Sequence, residues 1–534
     1  MLRAPEPRLL AASALAALPW LNPITSGPTA AAFPWLASMG CGLMLCALAA
    51  SAGARMTRSL AACCGMLVLW AGFTQHANRQ ELVFLAAGLA LITAAASVID
   101  DERISQGLLA GLLAAALLSA VFGLCQYFGL SGFLSPWVND AQAGEAFGNL
   151  RQPNQYATLC WLGLAVLLWG VPALPRPASL MLTVLLAVAS AASVSRTGLL
   201  QGSVLTILAV FWPSPSRRWR LQLCAVAAAA YFAATVALPF ALEAATGALP
   251  ARTLWTRIGG GESCSSRLVL WSNVLHLIAQ KPLLGWGWGE VDYAHFITLY
   301  PGERFCDILD NAHNLPLHLA VELGIPAALL VCGGFLWWAV RQRPWAERNP
   351  QRQLAWALLA LILLHSMLEY PLWYGPFQIV FGASLGWLLA PMPSAGRQAR
   401  AVALAVAAAL FAATTYAAWD YLRVSQIYLP PEQRRAAWRD DPLAAAQRSW
   451  LFANQARFAE LTITPLTRAN AAWMESTAEA MLHYSPEPRV IERLIESATL
   501  NGHEDKALFI LARFRAAFAR EYEQWRLQQR PRQG

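Results

Sequence analysis

Charge is what this chain has least of. Only 13% of its 534 residues are Asp, Glu, Lys or Arg, and 57% are hydrophobic, whereas soluble domains carry about a quarter charged residues. A soluble globular fold for the whole chain is thereby excluded. The polar connections also lack several catalytic signatures. They hold no His-Glu-x-x-His for a zinc hydrolase and no Gly-x-Ser-x-Gly for the commonest serine enzymes. They hold no Asp-x-Asp for a metal-held sugar nucleotide, and Asp307 and Asp310, three apart, give a metal weak support. The run 285–289, Gly-Trp-Gly-Trp-Gly, has neither the Lys-Ser/Thr ending nor the strand context of a nucleotide loop. The ten cysteines include no Cys-x-x-Cys pair. Most of them, such as Cys41, Cys46, Cys63, Cys64 and Cys160, lie inside apolar stretches, where a packing role is expected.

What the chain has in quantity is apolar blocks of roughly twenty residues, each able to cross a hydrocarbon core of about 30 Å. Lipid offers the backbone no hydrogen bonds, so only helices fit such blocks. The fold class expected is all-α, a polytopic membrane protein. The blocks predict about 13 transmembrane helices, at 9–21, 33–54, 59–75, 81–99, 106–130, 154–172, 178–193, 197–213, 221–240, 315–340, 353–367, 376–391 and 401–419. Arg3 and Arg8 ahead of the first block also fit a secretory signal, but the spans that follow favour a first spanning helix.

The arginines give the orientation. They fall on alternate connections: Arg55 and Arg58, Arg103, Arg176, then Arg217, Arg218 and Arg220, then Arg341, Arg343, Arg348 and Arg352, and last Arg397 and Arg400. By the positive-inside rule these connections are cytoplasmic. The net charge of +8 thus follows the membrane rather than marking a nucleic-acid face. The opposite connections, 22–32, 76–80, 131–153, the turn at 195–197, the long 241–314 and 368–375, then face the periplasm of a bacterial inner membrane. An odd number of spans puts the tail there too. Two domains follow: a transmembrane domain over 1–419 that includes a large periplasmic loop at 241–314, and a soluble helical domain over 420–534. Apolar residues at helical spacing in 490–500 and 507–518, with Asn501 and Gly502 between them, predict a helical hairpin of the TPR-like kind.

The polar motifs all fall on the outer side. Gly148-Asn149-Leu150-Arg151-Gln152-Pro153-Asn154 opens a span with three amides and one guanidinium. Amides donate and accept at once, which suits sugar hydroxyls, and Arg151 offers a fork of donors for a phosphate. A capped helix start explains the same residues. Ser195-Arg196-Thr197-Gly198 joins two spans almost without a loop, holding Arg196 at the membrane surface as a functional candidate or an interfacial anchor. Ser266-Arg267 opens an amphipathic stretch. Asp310-Asn311-Ala312-His313-Asn314 sets a histidine among amides at another span entrance, either as a proton acceptor near neutral pH or as a capping residue. The stretch 365–376 carries Glu369 with Tyr370, Trp373 and Tyr374, stacking faces beside a carboxylate, although an aromatic belt explains the rings equally well. His276, His295 and His318 lack polar company and read as helix or core residues. Cys264 and Cys306 are the only cysteines of the long outer loop, and an oxidising compartment would join them as a disulfide.

In order and placement, the motifs at 148–154, 195–198, 266–267, 310–314 and 365–371 resemble the O-antigen ligase and polymerase superfamily. The 365–376 stretch and the helical tail resemble its bacterial protein O-oligosaccharyltransferase branch, the PglL type. The resemblance implies an inverting, metal-independent glycosyltransferase that needs no cofactor. It would move an oligosaccharide from undecaprenyl-pyrophosphate to Ser or Thr of a pilin or other periplasmic protein. It implies His313 as general base, with Arg196 and Arg267 on the pyrophosphate. Asn149, Arg151, Gln152, Asn154, Asn311, Asn314, Glu369, Tyr370, Trp373 and Tyr374 are the expected substrate-binding residues. Transfer to lipid A core, glycan polymerisation and transport of the lipid-linked glycan remain alternatives. The last would call for mid-membrane charges, broken helices and related halves.

Overall fold

In a computed structural model the described residues are 6–25, 31–52, 58–74, 79–98, 101–170, 174–250, 253–259, 264–389 and 396–529. Arg3, Arg55 and parts of the connections 22–32 and 76–80 lie outside them. Among the described residues the chain is all helical. The first nine helices are α1 (Pro7–Leu21), α2 (Ala32–Ala52), α3 (Arg58–Thr74), α4 (Arg79–Val98), α5 (Glu102–Tyr127), α6 (Pro153–Trp169), α7 (Arg176–Ala192), α8 (Arg196–Phe211) and α9 (Arg217–Thr246). The long loop after α9 adds α10 (Leu254–Gly259), α11 (Arg267–Gln280) and α12 (Val291–Ile297). Then come α13 (Leu315–Leu323), α14 (Ile325–Ala328), α15 (Gly334–Gln342), α16 (Pro350–Ser366), α17 (Gly375–Leu388) and α18 (Arg397–Ser425). The tail holds α19 (Pro442–Gln447), α20 (Ala453–Ile463), α21 (Ala471–Met481), α22 (Pro488–Leu500), α23 (Glu504–Ala517) and α24 (Ala519–Gln529).

Among the described residues six helices are long and apolar enough to cross a membrane: Ala32–Ser51, Gln80–Val98, Glu102–Tyr127, Arg217–Thr246, Ile325–Ala346 and Arg400–Tyr428. Pro7–Leu21, Arg58–Thr74, Arg176–Ala192 and Arg196–Phe211 are shorter apolar helices. The chain is a multi-pass membrane protein. Its main core is built where α1, α2, α4 to α7, α9, α16 and α17 meet. Lipid gives helices no hydrophobic reason to associate, so close backbone approach has to hold them. The pair Gly107 and Gly111 provides it: a Cβ at either would stand 2.7 Å from the Leu9 carbonyl or 2.2 Å from that of Ser13. α1 thereby packs into α5, with Ala12, Ala16 and Trp20 buried.

Three boundaries differ from the expected ones. α9 and α18 run on to Thr246 and Ser425, past 240 and 419, because their apolar faces continue onto neighbouring helices. The stretch 315–340 is not one helix. It breaks at Gly324, whose φ is +88°, and a π-helical turn, Leu329–Gly333, follows. The break accommodates the glycine-rich turn seen in the sequence. Trp286 and Gly287 donate to the Val321 and Glu322 carbonyls at 2.9 Å, and Ile325 donates to the Pro282 carbonyl at 2.8 Å. These bonds satisfy carbonyls that the end of α13 would otherwise leave open. A broken helix is one feature named above for a transporter; here it joins the long loop to the bundle.

The tail packs on the long loop between α9 and α13 rather than standing apart. Phe296 of α12 is buried in the core formed by α20 to α23, and the Arg513 guanidinium donates to the Ile297 carbonyl at 2.8 Å. The hairpin of α22 and α23 turns at Asn501 and Gly502. Asp420, fully buried at the end of α18, accepts from Arg423 at 2.5 Å and from Ser449 at 2.6 Å, fixing the joint between bundle and tail.

Gly324→Ala would place its methyl 2.1 Å from the Leu283 carbonyl at a positive φ. We expect it to cost more than ~1 kcal/mol and to lower the thermal midpoint of the detergent-solubilised protein; an unchanged midpoint would refute this account of the break.

Candidate functional site

Four helix N-termini converge on one point, and their capping residues belong to the motifs singled out above. Gln152 caps α6 by accepting from the Gln155 amide at 2.7 Å. Ser195 caps α8 by accepting from Gly198 at 3.0 Å. Ser266 caps α11 by accepting from Val269 at 3.3 Å. Asn314 caps α13 by accepting from Leu317 at 3.1 Å. Arg196 and Arg267 are the first residues of their helices, and His313 directly precedes the Asn314 cap. Each end presents unpaired N–H groups and the positive pole of a helix dipole, so the convergence is a place for anions.

One anion of the chain itself sits there. The Glu369 carboxylate accepts from Arg267 at 2.5 Å and from the Asn154 amide at 3.2 Å, and it faces His313 Nε2 at 3.5 Å. Arg267 also donates to the Leu368 carbonyl. Asn154 accepts from the Ser195 hydroxyl at 2.6 Å, and the Asn314 amide donates to the Met367 carbonyl at 3.1 Å. These bonds tie α6, α8, α11 and α13 to the loop between α16 and α17. Burial lowers the Arg267 pKa; Glu369 opposes that, and the neighbouring Arg196 guanidinium adds to it. Two guanidinium groups are thus close enough to repel, and Arg196 is exposed at the surface of the site.

The histidine is aimed by its backbone. His313 has φ +51°, with its amide on Asn311 Oδ1 and its Nδ1 on the Asn311 carbonyl, both at 2.9 Å. A carbonyl can only accept, so Nδ1 carries a proton, and Nε2 is the nitrogen presented toward Glu369. Asn311 therefore orients His313. Arg151 and Val194 also have positive φ, +57° and +55°. Such angles are uncommon outside glycine and a genuine outlier for a β-branched residue. Three of the four non-glycine instances among the described residues lie at this site, and backbone strain of this kind clusters where function needs it.

The aromatic residues wall one side. Tyr370 meets the His313 ring edge-on at 5.1 Å and stacks with Tyr374 at 6.0 Å, while Trp373 stacks on Trp288 at 5.8 Å. Burial raises the pKa of both tyrosines, so they stay neutral at physiological pH. Burial likewise lowers that of Arg151, beside Tyr374, and the Arg151 Nε is buried without a hydrogen-bond partner. A donor left open in this way at an anion site is suited to a ligand oxygen. Cys264 and Cys306 form a disulfide, with Cα atoms 5.4 Å apart, beside the start of α11.

Asn149 stands outside this convergence. Its carboxamide donates to the Leu21 and Trp137 carbonyls at 2.7 and 2.9 Å and accepts from Asn139 at 3.0 Å, so its capacity is occupied by the fold. Residues that the sequence reading passed over lie beneath the site. Thr158 bonds His365 Nδ1 at 2.9 Å and Gln201 at 2.9 Å inside the bundle. Asn154 and Thr158, four apart on one helix face, are the signal that could have shown this polar thread.

Comparison with known proteins agrees with the motifs. Residues 181–332 match the family described as O-antigen ligase, 146–169 the protein glycosylation ligase family, and 353–533 the C-terminal part of a membrane-bound polymerase family of virulence factors. These matches agree with the resemblance of the motifs to the O-antigen ligase superfamily. A general O-oligosaccharyltransferase of Acinetobacter baylyi is 25% identical over 303 residues, 55% of this chain and 52% of that protein. A ComP-specific O-oligosaccharyltransferase of the same organism is 27% identical over 124 residues, 23% of this chain and 22% of that protein. The chain thus spans about half the length of the first relative and under a quarter of the second. Both relatives and the match at 146–169 agree with the resemblance to the PglL-type branch.

Asn149→Ala would remove the partners of two half-buried carbonyls and one amide, a cost of about 1 kcal/mol or more. Thermal unfolding in detergent should shift down accordingly; an unaltered midpoint would return Asn149 to the list of ligand-binding residues.

Proposed function

We propose that the chain transfers an oligosaccharide from undecaprenyl-pyrophosphate to Ser or Thr hydroxyls of periplasmic proteins, pilins among them. The observation that carries this reading is the Arg267–Glu369–His313 cluster set among helix N-termini with Arg196 beside it. The acceptor hydroxyl gives its proton to His313 Nε2 as its oxygen bonds to the anomeric carbon. The bond from that carbon to the pyrophosphate breaks, and the carrier leaves with the electron pair. Attack opposite the leaving group inverts the anomeric centre.

Each charged group has a defined task in this scheme. Arg267, Arg196 and Arg151 meet the charge that develops on the pyrophosphate, the role that makes electrostatic stabilisation large in a water-poor site. Guanidinium groups can serve this purpose without a metal. Glu369 stabilises the imidazolium as it forms, and it neutralises Arg267 until the donor arrives. The 3.5 Å separation from His313 is long, as such contacts often are before substrate binds. Asn154 and Asn314 hold the two sides of the centre in register.

In this reading the chain crosses the inner membrane about 13 times, with the site, the loop 241–314 and the tail in the periplasm. A periplasm-active phosphatase fused after Gln529 should be active, and one fused at Arg348 inactive; the opposite pattern would invert the topology.

The deciding assay measures transfer by purified protein from a lipid-pyrophosphate glycan to a pilin-type acceptor, with chelator present. We expect the parent to be active, His313→Ala to lose about 10² to 10⁴ in rate, and Arg267→Ala to lose about 10² or more. A second reading, glycan polymerisation, draws on the match of 353–533 to the polymerase family. Growth of the lipid-linked glycan with nothing on protein would favour that reading, and transfer to lipid A core would favour a ligase.

A further inference from the structure

A cavity of about 420 Å³ lies in the tail, away from this centre. Asn454 and Arg457 of α20, Ser476 and Glu479 of α21, and His483 and Tyr484 just beyond line it. Its walls offer donors, acceptors and both signs of charge. Glu479 is paired with Lys506 at 3.0 Å, and Arg457 is exposed.

The cavity is mechanically joined to the candidate centre. His483 Nδ1 donates to the Glu290 carboxylate at 2.6 Å, and the His483 ring stacks on Tyr293 at 3.8 Å between centroids. Glu290 is almost wholly buried and ends the turn that carries Trp288. Trp288 stacks on Trp373, Trp373 meets Tyr370 edge-on at 6.4 Å, and Tyr370 meets His313. The cavity wall at His483 thus packs on the turn whose Trp288 contacts the aromatic side of the candidate centre.

Two substrates have to reach His313. A lipid-borne donor comes through the membrane arginines, so the acceptor comes from water, past the tail. An extended polypeptide suits these walls: the Ser476 hydroxyl, which donates to the Trp473 carbonyl at 3.0 Å, can still accept from a backbone N–H, while Arg457 and Glu479 can meet charged side chains. A glycan would call for an open aromatic face, and the two rings here are taken: Tyr484 packs edge-on against Phe458 at 5.9 Å and His483 stacks on Tyr293.

We propose that this cavity docks a segment of the acceptor polypeptide adjoining the glycosylated Ser or Thr. The inference rests on the transferase reading above. The test uses full-length protein in proteoliposomes, saturating lipid-pyrophosphate donor and increasing pilin-type acceptor. Ser476→Trp fills the cavity, and Arg457→Glu reverses charge on its exposed wall and decides the question if the first variant fails to fold. Each should raise KM for the acceptor about tenfold or more while kcat stays within about twofold. An unchanged KM, or a loss confined to kcat, overturns the docking site and leaves the transferase standing, since the parent transfers in the same assay. A parent that glycosylates lipid acceptors only overturns both.

Discussion

The carboxylate of Glu369 is the interaction on which the rest of the site depends. Helix N-termini and guanidinium groups repel one another if brought together bare. By accepting from Arg267 and Asn154 and facing His313, Glu369 lets α6, α11 and α13 end at one place, with α8 held through Ser195. The arrangement is an anion site that carries its own counterion, and a diphosphate entering it competes for partners already aimed at negative charge.

Much of the scaffold was legible because lipid leaves few alternatives. Helices stand where the apolar blocks predicted them, and the capped starts at Gln152 and Asn314 follow from ordinary capping chemistry. What was not read was the interruption at Gly324. A Gly-Ile-Pro step is a stop signal that the length of the apolar run masked, and the backbone of the 282–287 turn, forty residues earlier, supplies the partners for the break. The π-helical turn after it has no local signal. The two long helices overran their expected ends because hydropathy marks the membrane boundary, whereas packing decides where a helix stops.

The site was legible as a set of residues and not as a division of labour. Capping and ligand binding looked like rival explanations for the motifs at 148–156 and 310–314; in the structure the capped helix starts themselves compose the site. Asn149 and Gln152 turn out to hold backbone, while Asn154 reaches the centre, and nothing in their common amide chemistry separates them. Glu369 was one candidate among aromatic neighbours, yet it is the hub. Its partners come from positions 154, 267 and 313, and such long-range convergence leaves no local trace.

The left-handed backbone at Arg151, Val194 and His313 has a consequence for anyone who would make this protein sturdier. Part of the folding free energy is stored at these positions as conformational tension. Relaxing it, for example with glycine at Val194, would be a gain by the measure of melting temperature. The same change would loosen the turn that presents Arg196, giving up aim for durability, which is the usual form of the trade-off between stability and activity.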